Sequence, residues 1–98
     1  MNNTLITGAS GFTARKLIGK ISNNKILVDI NDPLDRDINS KFINCDLTNY
    51  HAISEIVKNY KPFEIYHLAG SFSNDYQKDF SINYLATKNL LDSVKNYF

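Results

Sequence analysis

The sequence predicts an α/β fold built on a parallel sheet. Three observations carry that expectation. Short branched apolar runs recur along the chain, stretches of helical apolar spacing separate them, and a glycine-rich turn joins the first run to the first helical stretch. Strands buried between helices favour parallel pairing, because a parallel connection has to cross a sheet face. The order reads β-α-β-β-α-β-α, and right-handed crossovers then give four strands in the order 3-2-1-4 with helices on both faces.

Leu5-Ile6-Thr7 is the first buried strand, ending at Gly8. From Phe12 the period changes: Ala14, Leu17, Ile18 and Ile21 share one helical face, and Ser22-Asn23-Asn24 stops the helix. Lys25 to Ile30 is a second strand, rich in branched residues, broken by Asn31-Asp32-Pro33. The polar stretch to Ser40 is a brief helix or an irregular crossover. Phe42-Ile43-Asn44-Cys45 is a third strand. Thr48 or Asn49 caps the next helix, whose face is Ile53, Ile56, Val57 and Tyr60, and Lys61-Pro62 ends it. Glu64 to Ala69 is a fourth strand, followed by Gly70 and a polar loop through Ser71-Phe72-Ser73-Asn74. The last helix starts near Lys78, with Ala86, Leu90, Val94 and Tyr97 along one side.

Composition narrows the function classes. A net charge of +1 over 98 residues gives no electrostatic footprint for nucleic acid or an anionic membrane. No apolar run approaches the roughly 18 residues that span a bilayer, and Met1-Asn2-Asn3-Thr4 reads as no targeting leader. The single Cys45 cannot form an internal disulfide, which points to a reducing cytoplasm. Cys45, His51 and His67 lack metal-ligand spacing.

The chemical signal is Thr7-Gly8-Ala9-Ser10-Gly11-Phe12-Thr13-Ala14. Gly8 takes the tight turn out of the strand, and Gly11, lacking a Cβ, lets a pyrophosphate approach the backbone. Free N–H groups at the start of the helix then face the phosphates. A ligand-free helix-entry turn, or a flavodoxin-like domain holding another ligand at the same place, would use the same residues. The phosphate-loop motif is excluded, because Ile21 follows Gly19-Lys20 and Ala14 stands where that motif needs glycine. Asp29 follows Gly8 by about 20 residues, the spacing of an acid that accepts from the adenosine ribose hydroxyls. Such a carboxylate repels a 2′-phosphate and favours NAD over NADP. Asp32 competes for the role if the strand runs longer, and Arg36 keeps NADP open.

Four blocks in order resemble the extended short-chain dehydrogenase/reductases, the NAD(P)-dependent epimerase/dehydratase group. The first is the glycine turn, similar to the family's TGxxGFxG with Ala14 in place of the third glycine. The others are Cys45-Asp46-Leu47-Thr48, Ile65-Tyr66-His67-Leu68-Ala69-Gly70, and Asn83-Tyr84-Leu85-Ala86-Thr87-Lys88-Asn89-Leu90-Leu91, which is like NVxGTxNLL. The resemblance implies a Rossmann-type fold and a cofactor site. In it Gly8, Ser10, Gly11, Phe12 and Thr13 hold the pyrophosphate, and Asp29 or Asp32 the ribose. Asp46 and the Leu47 N–H meet the adenine, Leu68, Ala69 and Gly70 pass beneath the dinucleotide, and Asn83 stands near the active site. His67 is expected to be structural. The texture of the second and third blocks looks most like the GDP-sugar branch, the GDP-mannose 4,6-dehydratases and GDP-4-keto-6-deoxy-mannose reductases.

The same resemblance defines what is missing. The family's catalytic Tyr-x-x-x-Lys is expected beyond Phe98. Tyr84 and Lys88 have that spacing but lie in the NVxGTxNLL block, so no catalytic residue is assigned. Strands five and six and the substrate domain are expected to be absent as well. The chain therefore reads as the NAD(P)-binding part of a nucleotide-sugar reductase, dehydratase or epimerase. The alternative is a non-catalytic module or split product acting with a partner chain. A second polypeptide, or a second copy, is expected to cover the edge of strand four.

Overall fold

The computed structural model describes residues 2–33, 36–70 and 75–98. The chain divides into two compact units: Met1–Asn44 with Pro62–Ala69, and Cys45–Lys61 with Gly70–Phe98.

The first unit holds the sheet. Its strands are β1 (Asn3–Thr7), β2 (Asn24–Asp29), β3 (Ser40–Asn44) and β4 (Glu64–His67), in the order β3-β2-β1-β4. All three pairings are parallel. The register aligns Thr7 with both Val28 and His67, so β1 and β4 end in one row and β2 runs one residue further, to Asp29. Gly8, Asp29 and Leu68 are the next residues along. The chain leaves β1 toward β2 on one side, whereas β4 lies on the other. That reversal opens the crevice in which open α/β sheets bind ligands.

Helix α1 (Phe12–Ile18) belongs to this unit. It is shorter than the apolar spacing predicts. Gly19 caps it at φ −68°, and Ile21 lies beyond it yet still packs on the core of Ile6, Ala9, Ala14, Ile18 and Leu27. The expected Lys25–Ile30 strand begins one residue earlier and ends at Asp29. The third strand begins at Ser40, because its partners run from Lys25 to Asp29, and it stops before Cys45. The fourth strand ends at His67, where the backbone turns its hydrogen bonds onto Thr7. No helix forms among the described residues between β2 and β3, so that crossover is irregular there; Leu34 and Asp35 lie outside the described residues.

One feature of the far end of the sheet is absent from the spacing pattern. The Lys25 side chain is fully buried at the start of β2. Its ammonium donates to the Ile21 carbonyl at 2.6 Å and the Asn23 carbonyl at 3.2 Å, and pairs with Asp37 at 3.0 Å. With these bonds it ties the chain after α1 to the segment that leads into β3. The Ser40 hydroxyl also donates to Asp37.

The second unit packs α2 (Tyr50–Tyr60) with α3 (Tyr76–Tyr97). Asn49, not Thr48, caps α2 by accepting from the Ala52 N–H at 3.2 Å. Ile53, Ile56 and Val57 are buried as the spacing predicts, whereas Tyr60 is half-buried. α3 starts earlier than expected because the Asp75 carboxylate accepts from the Lys78 N–H. Its buried residues are Ala86, Asn89, Leu90 and Ser93. Val94 is half-buried and Tyr97 is exposed, so the buried face is more polar than its apolar positions suggest.

Candidate functional site

The C-terminal ends of β1, β2 and β4 meet at the glycine turn. Gly8 has φ +68°, a left-handed conformation that glycine adopts without strain. A Cβ there would lie 2.7 Å from the Leu68 carbonyl carbon and the Ala69 nitrogen, and 2.8 Å from the Ala69 Cα. The turn and the end of β4 are thus in backbone contact, which explains Gly8.

Thr7, the first residue of the motif but given no role in it, fastens the same junction. Its buried Oγ1 accepts from the Leu68 N–H at 3.0 Å and the Ala69 N–H at 3.2 Å. With both acceptor positions used, the hydroxyl proton points to His67 Nδ1, 2.7 Å away. That bond fixes His67 as the neutral tautomer protonated on Nε2. Burial pushes the His67 pKa below its ordinary value, in the same direction. His67 therefore acts here as a structural partner of Thr7.

Gly11 caps α1 with no side-chain hydrogen bond, and Ser10, Gly11, Phe12 and Thr13 are exposed. The first N–H groups of a helix have no acceptor inside it, so they are donors for an outside anion. α1 has only seven residues, and its dipole adds little to those donors. Phe12 projects outward with the Lys16 ammonium 4.7 Å from its ring centre. Ala14, in the place of the third glycine, is fully buried in the core, where a methyl group is useful packing.

Asp29 ends β2 beside this turn. Its Oδ2 accepts from the Ser10 N–H at 2.9 Å and the Ser10 hydroxyl at 2.7 Å, and its Oδ1 from the Asn31 N–H at 3.0 Å. Partial burial alone would raise its pKa. The N–H groups of Asn31, Ser10 and Ile30 and the Ser10 hydroxyl outweigh that and hold it below the ordinary carboxylate value. Asp32, the competing acid, is exposed and pairs with Arg36 at 3.4 Å. Arg36 also lies over the Phe42 ring, so its charge is partly engaged within the protein.

The remaining predicted residues lie mostly in the second unit. Asp46 does not cap α2; its Oδ1 accepts from the Thr48 N–H and hydroxyl. Leu47 is buried, and its carbonyl accepts from the Asn89 side chain at 2.9 Å. Ser93 in turn donates to the Asn89 carbonyl. Asn89 lies inside the NVxGTxNLL block, and its place there is the one sequence signal for this clamp on the Asp46-Leu47 segment. Cys45 is buried, and burial with the Asp46 charge pushes its thiol up to about 11, so it is inert. Gly70 is exposed, and Asn83 is half-buried on α3. Lys88 pairs with Asp92 at 2.7 Å, one helical turn on, as an exposed ion pair. The loop residues Ser71 to Asn74 lie outside the described residues.

The sequence matches the model of the NAD dependent epimerase/dehydratase family over residues 4–97. The chain belongs to that family. Solved structures share its fold. A glucuronic acid dehydrogenase from Chromohalobacter salexigens is 27% identical with a TM-score of 0.80, the match covering 97% of this chain and 36% of that one. An L-threonine dehydrogenase from Clostridium difficile is 26% identical with a TM-score of 0.84, over 99% and 34%. A UDP-glucose 4-epimerase from Thermotoga maritima, solved with UDP-glucose, is 22% identical with a TM-score of 0.87, over 97% and 34%, and shares the fold. Among curated proteins, none matches the sequence. This epimerase/dehydratase chain spans about a third of the length of those structures. Its four-stranded parallel sheet is the Rossmann-type arrangement, and among the described residues no helix is long and apolar enough to cross a membrane.

Proposed function

We propose that this chain is the dinucleotide-binding part of an NAD(P)-dependent enzyme acting on a nucleotide sugar, as a reductase, dehydratase or epimerase. The observation that carries the reading is the backbone contact of Gly8 with Leu68 and Ala69 beside the ionised Asp29, in a chain of the NAD dependent epimerase/dehydratase family. In this reading the start of α1 offers the Phe12 and Thr13 N–H groups to the pyrophosphate, the Ala9, Ser10 and Gly11 N–H groups being taken by Val28, Asp29 and Gly8, and Asp29 accepts from the adenosine ribose. Asp46 and Leu47, steadied by Asn89, hold the adenine edge. The family resemblance assigns Leu68, Ala69 and Gly70 to the floor beneath the dinucleotide and Asn83 to the reacting end. When bound, the nicotinamide accepts or returns a hydride at a sugar carbon. Asp29 supports NAD as the preferred form, helped by the pairing of Arg36 with Asp32.

The GDP-sugar branch is part of the same proposal and rests on the texture of the Cys45–Thr48 and Ile65–Gly70 blocks. So are a cytoplasmic setting and a further chain or second copy along the outer edge of β4, an edge strand of the described sheet. Isothermal titration of the folded chain with NAD and NADP tests the cofactor reading. Saturable heat with NAD is expected, and silence toward both at millimolar concentration overturns it.

A further inference from the structure

Asp29 is more heavily engaged than a ribose acceptor needs to be. A carboxylate offers about four acceptor positions. Ser10 fills both positions on Oδ2, with its N–H at 2.9 Å and its hydroxyl at 2.7 Å, the Asn31 N–H takes one on Oδ1, and the Ile30 N–H also draws on the carboxylate. The carboxylate is held from two sides, by the glycine turn and by the loop after β2. A ribose hydroxyl therefore approaches on the Oδ1 side, because Ser10 occupies Oδ2.

We propose that Ser10 is a specificity-determining positioning residue. Its hydroxyl pins the Asp29 carboxylate in one orientation and thereby selects a dinucleotide with a free ribose 2′-hydroxyl over one carrying a 2′-phosphate. The inference rests on the dinucleotide reading given above. A hydroxyl has a proton to donate to Oδ1. A 2′-phosphate has none to spare at neutral pH and faces a negative charge that cannot swing aside. The Ser10 N–H reaches Oδ2 whatever the side chain, so the hydroxyl is the part of the lock that depends on residue type. Without it, Oδ2 keeps only the Ser10 N–H and backbone donors alone hold the carboxylate, which weakens the lock against its turning away from an incoming phosphate. Ser10 is exposed at the surface of the turn, so its replacement disturbs no core packing.

The test is titration of NAD and NADP into the chain and its Ser10→Ala, Ser10→Thr, Asp29→Asn and Ser10→Ala/Asp29→Asn variants, each checked for folding by circular dichroism. A hydrogen bond to a charged group sets the scale, so Ser10→Ala is expected to lower the NAD-to-NADP affinity ratio about tenfold. Ser10→Thr restores the ratio, because it restores the hydroxyl. Asp29→Asn removes the discrimination, and adding Ser10→Ala to it changes the ratio no further. A Ser10→Ala variant that weakens both cofactors equally, or leaves the ratio unchanged, overturns the proposal while the cofactor reading stands. A wild-type chain that prefers NADP also overturns it. A folded wild-type chain silent toward both cofactors overturns the cofactor reading and this inference together.

Discussion

Replacing Gly8 with alanine should destabilise the protein more than the same methyl added at Gly11 or Gly19. Two costs combine. Holding an alanine at φ +68° costs about 1–2 kcal/mol, the steric penalty of the left-handed region. The new Cβ would also lie 2.7–2.8 Å from three backbone atoms at the end of β4. Backbone cannot rotate aside as a side-chain tip can, so the overpacking cost of about 1–3 kcal/mol applies. Alanine stiffens the unfolded chain and returns about 0.4–1 kcal/mol. The net loss is about 2–4 kcal/mol, against a total near 5–15 kcal/mol for a domain of this size. Gly19 is the control, since it has φ −68° and nothing within 4 Å of a built Cβ. Gly19→Ala should be neutral or stabilising by up to about 1 kcal/mol. Urea unfolding followed by circular dichroism reads both variants. A Gly8→Ala loss below about 1 kcal/mol, or a loss matched by Gly19→Ala, would refute the close-approach explanation.

Three further outcomes follow from the same contacts. Thr7→Val keeps the shape but removes the acceptor for the Ala69 N–H and the donor to His67; it should cost about 1–3 kcal/mol in urea unfolding, and a cost near zero would mean that the clasp is idle. Lys25→Met strands two carbonyls and Asp37; because Asp37 stays partly hydrated, about 2–4 kcal/mol is expected, below the loss from a fully buried pair, and an unchanged urea midpoint would contradict it. His67 has a folded pKa depressed from 6.5, so the unfolded chain takes up its proton first as pH falls. Stability is therefore full above pH 6.5 and is lost as pH drops from there toward the folded value; the depressed pKa values of Asp29 and Asp37 act lower, below 3.8. His67→Gln should flatten the upper part of that pH profile, and a wild-type profile level between pH 7 and 5 would contradict the assignment.

The sheet order was legible because it follows from few constraints: four apolar runs, helical spacing between them and one hand of crossover. The glycine turn and Asp29 were legible for a similar reason, since residue type and spacing carry the chemistry. What the sequence hid are contacts whose partners are distant in the chain. Lys25 sits in a strand run like any charged residue, and nothing local announces that Ile21, Asn23 and Asp37 converge on its ammonium. Thr7 reads as the last residue of a strand, yet it closes on residues 60 or more positions away. Asn89 and Ser93 occupy helix positions where apolar spacing sees only gaps, although they are buried and mutually bonded. The helix ends were misread where a local acceptor or glycine outweighed periodicity: Asp75 starts α3 early, and Gly19 stops α1 before Ile21. The Thr7, Lys25 and Asn89 contacts each tie a loop or turn segment to a strand or helix through a polar side chain. Within the first unit Thr7 and Ser10 hold the end of β4 and Asp29, and within the second Asn89 holds the Asp46-Leu47 segment. Substitutions at those three should disturb binding through geometry even where they leave every residue of the predicted ribose and adenine contacts in place.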